Sequence, residues 1–282
     1  MFESPQPRLF SFALLPTLRP KLIALLGSSA LLLAIGEPSA AAESAAAAPQ
    51  RAAREPSPEK TPVPQQARQL LLVRSASWPS TVAQLTRFER ESGAPWRAAG
   101  EALPVNLGRH GMAWGRGLHT TPATGPRKLE RDGRSPAGVF ALGSAFGAAA
   151  ELPEGAKSFP YLQIKKGVAC VEETRSKFYN RIVDASSEKT WERRSDMLRP
   201  DGLFRWGVVV EQNAPDTIAG AGSCVFLHIW RGPKEPTSGC TSLAPDRIED
   251  VLRWLQAEKQ PVLVQLPDPV YATVRAAWGL PE

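Results

Sequence analysis

Glycine and proline recur every few residues from Trp96 to Leu266, and this dense punctuation leaves little room for long helices. Short apolar or alternating runs follow one another along the chain, at 69–73, 138–142, 161–164, 206–210, 224–230 and 260–266. Short runs bounded by turn residues are typical of the strands of an all-β sandwich or barrel. The sequence therefore predicts a mainly β domain, sandwich-like or barrel-like, with a few peripheral helices.

Three segments carry a helical pattern. Residues 80–91 predict a helix because apolar residues recur at helical spacing, at Val82, Leu85 and Phe88. Residues 246–257 predict a second helix, since Pro245 suits the first helical position and an apolar stripe follows it. The tail from Tyr271 onward predicts a short third helix.

The first part of the chain has the pattern of an export signal. Residues 1–42 contain basic residues, then an apolar run, then small residues suited to a signal peptidase. An uncleaved anchor is the alternative, but the run at 22–35 is shorter than the ~20 residues that span a bilayer. We expect cleavage, no membrane span in the mature protein, and a location in the periplasm or cell envelope.

A linker and one domain are predicted after the signal. Residues 43–68 are rich in alanine, proline and charge, and have too few large apolar side chains to offset the entropy lost on ordering. They predict a disordered linker. Residues 69–282 are enough for one domain with a sizeable core.

Charge and cysteine content exclude some classes of function. The net charge of +6 is mild, the basic residues are scattered, and the sequence contains no nucleic-acid motif. No set of side chains has metal-ligand spacing, so neither a metal nor another cofactor is predicted. Three cysteines cannot all pair within one chain, so an exported protein keeps at least one thiol that needs an explanation.

The segment 222–243 is the most informative for chemistry. His228 lies near the end of a predicted strand, and Cys240 follows a loop rich in glycine and proline. An ordinary thiol is only ~3% ionised at neutral pH, so a nucleophilic role requires a pKa lowered to about 6. The turn Ser238–Gly239 before Cys240 makes the amides of Gly239 and Cys240 candidates for an oxyanion site. An inert buried cysteine beside a lone histidine is the alternative that these residues alone leave open.

Three segments together resemble the L,D-transpeptidase (YkuD/ErfK) family. His228 followed by Thr237-Ser238-Gly239-Cys240 is similar to the histidine and S/T-x-G-C motif of that family. Residues 128–140 resemble its D-G-R-T-P-x-G-x-F turn, and residues 178–184 resemble a segment of the subgroup with an H-I-W-R-G-P variant. The resemblance covers roughly residues 105–266 in the family's order.

The chain departs from the commoner family pattern in three ways. The loop from His228 to Cys240 is shorter than usual, Ser238 stands where many members have a second histidine, and Ser242 stands where many have arginine or asparagine. In such enzymes the missing groups often help to hold the substrate or the oxyanion. The thiol and the base are kept, and the departures leave several substrates and both transfer and hydrolysis open.

The resemblance implies acyl transfer on the stem peptides of peptidoglycan. Cys240 would attack the carbonyl after the third stem residue, expel the terminal D-alanine and form a thioester, and His228 would act as the base. An amine of another stem or a free D-amino acid would then accept the acyl group. The alternatives are hydrolysis by the same chemistry, as in an L,D-carboxypeptidase or an amidase, and an inactive peptidoglycan-binding module.

Other residues are weaker candidates. Arg231 and Lys234 lie in the loop between base and nucleophile, where either a contact with a stem carboxylate or simple solvation is expected. Tyr179 and Asp184 are candidates for lining a substrate cleft, although structural roles are the alternative. His110 and His119 have no partner at metal-ligand spacing, which favours surface or loop roles.

The two remaining cysteines are Cys170 and Cys224. Strand alternation places Cys224 on the same face as His228 but about 13 Å away, too far for direct catalysis. We hypothesise a disulfide between Cys170 and Cys224 that leaves Cys240 free. Two buried free thiols are the alternative.

Overall fold

The computed structural model of the protein describes residues 61–184 and 191–282. The predicted signal peptide at 1–42 and residues 43–60 of the predicted linker lie outside the described residues. Residues 61–68, which the sequence analysis assigned to the linker, pack against the domain. Val63 and Ala67 are buried, and the Arg68 N–H donates a hydrogen bond of 2.8 Å to the Lys259 carbonyl. The packed region therefore starts at least eight residues before the predicted boundary.

Strands predominate among the described residues. The strands are β1 (Gln69–Ser75), β2 (Val82–Glu89), β3 (Arg97–Ala98), β4 (Leu103–Asn106), β5 (Met112–Trp114), β6 (Ser135–Gly147), β7 (Tyr161–Gln163), β8 (Val168–Val171), β9 (Ile182–Asp184), β10 (Arg194–Asp196), β11 (Trp206–Val210), β12 (Phe226–Ile229), β13 (Thr241–Leu243) and β14 (Val262–Pro267). The helices are α1 (Pro245–Trp254), α2 (Asp268–Val274) and a short 3-10 helix (Ala257–Lys259).

Eight of these strands close into a barrel. Their order is β1-β14-β6-β11-β12-β13-β4-β2, and β2 pairs with β1 to complete the ring. The β1–β14 and β12–β13 pairs are parallel, and the other neighbours in the ring are antiparallel. A separate three-stranded sheet, which we call the small sheet, has the order β10-β8-β9. The predictions of a mainly β domain and of few helices are confirmed.

The predicted helix at 80–91 is wrong, because these residues form β2 instead. Ala83 and Leu85 are buried whereas Val82 is 45% exposed, which is an alternation of period two. Strand β2 pairs with β1 on one side and with β4 on the other. Two flanking strands satisfy its backbone, and this tertiary pairing outweighs the helical spacing of three apolar residues.

The predictions for the C-terminal part fit the structure better. Helix α1 begins at Pro245 and buries Ile248, Val251 and Leu252, as the predicted apolar stripe requires. It ends three residues earlier than expected, and the short 3-10 helix follows it. Strand β14 closes the barrel beside β1 and β6, and α2 begins at Asp268, slightly before the predicted tail helix.

Buried apolar side chains form two clusters on opposite faces of β12. The first, the barrel cluster, contains Leu227 of β12 together with buried apolar residues of the other strands in the barrel, including Leu71, Phe140, Val208 and Leu263. The hydroxyl of Thr241 donates to Gln265 across the barrel, so the face that carries Thr241 and Leu227 points inward. The second, the outer cluster, consists of Phe146, Ile164, Val168, Cys170, Met197, Leu203, Phe204, Cys224 and Phe226.

His119 has a different role from the one predicted. It lies in the loop between β5 and β6, as one of the two expected roles has it, but its side chain is only 6% exposed, so the expectation of a surface position is wrong. The ring packs against Trp114, Phe140 and Trp278. Gly138, which has a φ of +137°, makes room for it, because a Cβ there would lie 1.9 Å from the His119 ring. His110 is exposed, as expected.

Candidate functional site

The parallel pair β12–β13 brings His228 and Cys240 together. Leu227 is paired with Thr241 and His228 with Ser242, so Cys240 lies opposite Phe226. Side chains two residues apart on a strand share a face, so His228 and Cys240 both point away from the barrel interior. Standard strand spacings place their Cα atoms diagonally, about 8 Å apart. Both residues line one cavity of about 650 Å³, which we call the site cavity.

The loop between base and nucleophile is held by Asn106, which the sequence analysis did not identify. Asn106 is 1% exposed and lies at the end of β4. Its amide donates to the Gly232 carbonyl at 2.8 Å, and its side-chain oxygen accepts a bond of 3.0 Å from the Lys234 N–H. A lone asparagine in a strand carries no sequence signal for this role, because its partners lie more than 120 residues away.

Thr237 and Ser135 fix the turn that presents the nucleophile. The Thr237 hydroxyl accepts a bond of 3.0 Å from the Gly239 N–H and donates one of 2.6 Å to the Cys240 carbonyl. The Ser135 hydroxyl donates to the same carbonyl at 2.9 Å. Gly239 has a φ of +147°, and a side chain there would press on the Arg134 carbonyl at 3.1 Å. The turn therefore depends on glycine and on two hydroxyl groups.

These bonds correct one part of the predicted oxyanion site. The Gly239 N–H already donates to Thr237, so it does not point freely at a developing oxyanion. Ser238 is exposed and lines the site cavity. The Cys240 amide remains the candidate backbone donor of this turn.

His228 is arranged as a neutral base. Its Nδ1 lies 2.7 Å from the Ile229 carbonyl oxygen, and since a carbonyl only accepts, Nδ1 carries the proton and Nε2 the lone pair. Burial lowers the pKa of His228 to about 4. The ring of Phe204 packs edge-on against the imidazole, with centroids 5.1 Å apart. An imidazole in this setting is unprotonated at neutral pH, with the Nε2 lone pair as its proton acceptor.

The electrostatics of Cys240 differ from the expectation. Burial raises the pKa of the Cys240 thiol to about 11, although the Phe226 N–H and the charges of Lys128 and Arg199 act in the opposite direction. The thiol pKa is thus not lowered toward 6, because the cost of desolvating the sulfur anion exceeds the stabilisation from these groups. Both shifts favour the uncharged forms of the imidazole and the thiol at neutral pH.

Cys170 and Cys224, the pair named in the hypothesis, are joined by a disulfide bond, and Cys240 is the free cysteine of the three. The bond connects β8 of the small sheet to the residues that precede β12. The thiol of Cys240 donates to the Cys224 carbonyl at 3.7 Å. Asn180 also holds this segment, because its side-chain oxygen accepts a bond of 2.9 Å from the Cys224 N–H. The disulfide therefore fixes one wall of the site cavity.

The three weaker substrate-binding candidates lie in different places. Arg231 lines the site cavity, and its guanidinium is 3.9 Å from the Asp201 carboxylate. Tyr179 is buried outside the cavity lining, and its hydroxyl donates to the Glu130 carboxylate, which does line the cavity. Burial raises the pKa of Tyr179. Asp184 lies on β9 opposite Val168 and is not part of the cavity lining.

Several charged residues of the site cavity were not identified as site residues from the sequence. The cavity is lined by five cationic side chains and three carboxylates, namely Arg109, Lys128, Arg131, Arg199, Arg231, Glu130, Glu172 and Glu235. Arg199 lies over the Phe204 ring, with its guanidinium carbon 5.2 Å from the centroid, and forms an ion pair with Asp201. These residues come from loops that are far apart in the sequence, so spacing carries no signal for the group.

The segment 128–134 forms the turn that the sequence predicted. The Asp132 carboxylate accepts bonds of 2.9 Å from the N–H groups of Leu129 and Arg134. Arg134 in turn donates to the carbonyls of His110 and Met112. Within residues 61–184 and 191–282, no group of three His, Cys, Asp or Glu side chains could hold a metal ion.

Comparisons of the chain with protein-family models, with curated proteins and with solved structures found no match.

Proposed function

We propose that the protein is a cysteine acyltransferase of the L,D-transpeptidase type that acts on peptidoglycan stem peptides in the cell envelope. One observation carries the proposal: a neutral, oriented histidine and the free cysteine share one face of β12–β13 and line one cavity. The resemblance of the three sequence segments supports the substrate class.

The neutral state of both residues suits a coupled proton transfer. As the Cys240 sulfur attacks the stem carbonyl, its S–H bond breaks and the proton moves to Nε2 of His228. The C–N bond to the terminal D-alanine then breaks, and the imidazolium returns the proton to the leaving amine. The products of this half-reaction are a thioester on Cys240, free D-alanine and neutral His228.

The second half-reaction reverses the roles. An acceptor amine attacks the thioester carbonyl and loses a proton to His228, and the C–S bond breaks. The imidazolium then protonates the departing sulfur of Cys240. Water in place of the amine gives hydrolysis by the same steps, and no cofactor takes part in either outcome.

The charges of the site cavity support an anionic peptide as substrate. Its lining contains five cationic groups and three carboxylates, so cations are in excess. Carboxylates of a stem peptide can bind to guanidinium groups with paired hydrogen bonds. Among the described residues, neither Arg109 nor Arg131 forms an ion pair with a carboxylate, so both remain available to a ligand.

The disulfide supports a location outside the cytoplasm, because such bonds persist in oxidising compartments. In the part of the chain that the structure describes, no helix has the length and apolar character needed to cross a bilayer.

An inactive peptidoglycan-binding module is the second candidate. The raised pKa of the Cys240 thiol favours it, since a desolvated, protonated thiol is also typical of an inert cysteine. A single assay separates the two candidates.

The experiment is incubation of the purified protein with tetrapeptide muropeptides, followed by mass spectrometry. We expect cross-linked dimers with the wild-type protein, a loss of at least about 10³-fold in Cys240→Ala, and about 10²–10⁴-fold in His228→Gln. His110→Gln is the matched control, because His110 is exposed and outside the cavity lining. Tripeptides without dimers would show that the protein hydrolyses the stem peptide and does not transfer it to an amine. Unchanged substrate together with retained binding would show that the protein is an inactive binding module.

A further inference from the structure

Lys128 is a buried cation beside the candidate nucleophile. Its side chain is only 5% exposed, and its Nζ lies 2.5 Å from Asp132 Oδ1 and 2.9 Å from the Leu129 carbonyl. The aliphatic stem packs on the backbone at Gly222, where a Cβ would lie 3.1 Å from Cγ and Cε of the lysine. Lys128 is therefore fixed at both ends, with its ammonium on the cavity wall.

The ammonium lies close to the turn that carries Cys240. A Cβ placed at Gly239 would be 3.8 Å from Lys128 Nζ, and Gly239 directly precedes Cys240. The charged groups that act on Cys240 are Lys128, Glu172 and Arg199, and the titratable His228 lines the same cavity. Each of the two permanent cations has a carboxylate partner, Asp201 for Arg199 and Asp132 for Lys128. Arg199 also lies over the Phe204 ring, whereas Lys128 lies against the turn at Gly239.

We propose that Lys128 is a positioning residue for the reaction at Cys240, with an ammonium that stabilises the sulfur anion and an Asp132 partner that holds the ammonium in place. The inference rests on the proposed function, because it assigns an electrostatic role within the same Cys–His site. Lys128 does not itself accept or donate the reacting proton, which passes from the thiol to His228.

Asp132 holds the Lys128 ammonium in place but does not cancel the effect of its positive charge on the sulfur. The carboxylate also accepts two backbone N–H bonds within its own turn, so part of its charge is balanced locally. A cation within a few ångströms lowers the pKa of an acidic group by about 1–3 units. Removing the Lys128 charge should therefore lower the fraction of thiolate by about tenfold or more at every pH well below the thiol pKa.

The test is the rate at which iodoacetamide alkylates Cys240 in the intact protein, measured by mass spectrometry between pH 7 and 10. The thiolate sulfur attacks the CH₂ carbon and iodide leaves, so the rate reports the thiolate fraction. We expect Lys128→Met to react about tenfold more slowly at each pH and Lys128→Arg to stay within about threefold of wild type. Lys157→Met is the matched control, because Lys157 is exposed and outside the cavity lining.

A structural effect is separated by a second variant. Lys128→Met leaves Asp132 without its ion pair, so Lys128→Met/Asp132→Asn removes both charges, and near-ultraviolet circular dichroism shows whether each variant is folded. If Lys128→Met is folded and its alkylation rates coincide with those of the wild type at every pH, the role of Lys128 is overturned.

Alkylation needs no wall substrate, so the outcome is independent of the muropeptide assay. A tenfold slower alkylation together with inactive wild-type protein would leave the electrostatic role standing and reject the proposed function. In the active case, Lys128→Met should lower kcat with little change in KM, since the charge acts on the sulfur and not on substrate binding.

Discussion

The barrel cluster and the outer cluster lie on opposite faces of β12 but are built in different ways. The barrel cluster is large, lies among strands that close on themselves, and includes buried side chains from α1 and α2. The outer cluster has nine buried members, draws several of them from loops, and is cross-linked by the Cys170–Cys224 disulfide. Hydrogen-bonded strands maintain the first, whereas the second relies on a covalent bond.

The difference explains where the candidate site lies. Strands β12 and β13 provide a rigid wall, because their inner faces belong to the barrel. The loops of the outer side supply the charged and polar lining of the site cavity, including Lys128, Arg199 and Arg231. A site on such a wall keeps its two reacting groups in register while the surrounding loops vary.

The largest expected effect comes from removing the covalent link. Cys170→Ala/Cys224→Ala opens a loop with a sequence separation of 54, and the chain-entropy model gives a loss of about 4 kcal/mol in the free energy of unfolding. Urea denaturation measures this loss. We also expect hydrogen exchange to rise first in β8, β9 and β10, because the bond ties that sheet to the barrel.

Cys240→Ala is the control for the disulfide variant, since it removes a sulfur from the same cluster without breaking the link. Equal loss of protection in the small sheet and in the barrel strands would contradict the division into two differently maintained regions.

A smaller effect should distinguish the packing of the two clusters. Leu263 is fully buried in the barrel cluster, so Leu263→Ala should cost about 3 kcal/mol of unfolding free energy through lost contacts and a residual cavity. Leu162 is half-buried at the edge of the outer cluster, so Leu162→Ala should cost about 1 kcal/mol. Urea denaturation of both variants at one pH makes the comparison, and a reversed order would show that the outer cluster is the more tightly packed.

The pH dependence of stability sharpens the comparison, because each cluster packs against one buried histidine. His119 packs on Phe140 of the barrel cluster and His228 on Phe204 of the outer cluster, and burial lowers the pKa of each to about 4. The ordinary pKa of about 6.5 applies when the chain is unfolded. The unfolded state therefore binds more protons below pH 6.5, and stability is lost as the pH falls from there toward 4.

We expect each histidine to account for about 2 kcal/mol of the stability lost between pH 8 and pH 5. His119→Gln and His228→Gln should each flatten the curve of unfolding free energy against pH by that amount, and exposed His110→Gln should not change its slope. Denaturation at several pH values measures this. A slope that survives both substitutions would show that other groups control the acid sensitivity.

The segments 80–91 and 246–257 show how well a local sequence pattern predicts secondary structure. In both, apolar residues recur at helical spacing, yet only the second forms a helix. Pro245 and an acidic first turn support α1 from within its own sequence. Residues 82–89 instead form β2, which pairs with β1 on one side and β4 on the other. The local sequence carries no information about the hydrogen bonds to these two strands.

The candidate site shows the same division. His228 and Cys240 could be identified from their types, spacing and flanking glycine, and the structure brings them to one cavity. Of the cations that surround them, Arg231 was a candidate from its place in the loop between base and nucleophile. The others could not be identified, because they become neighbours only when loops far apart in the chain pack against the outer face of the barrel. Tyr179 illustrates the reverse case, since a residue selected for the cleft is buried behind it against Glu130.

The amino-acid sequence alone determined that the domain is rich in short strands, because glycine and proline interrupt the backbone wherever they occur. It also determined which thiol and which imidazole are candidates for chemistry. Only the tertiary structure decided that the barrel closes, that burial shifts the pKa values of the thiol and the imidazole, and that Lys128 lies beside the turn at Gly239 and Cys240. Closure, burial and charge all depend on what surrounds a residue in space, and that is set by pairings between segments distant in the chain.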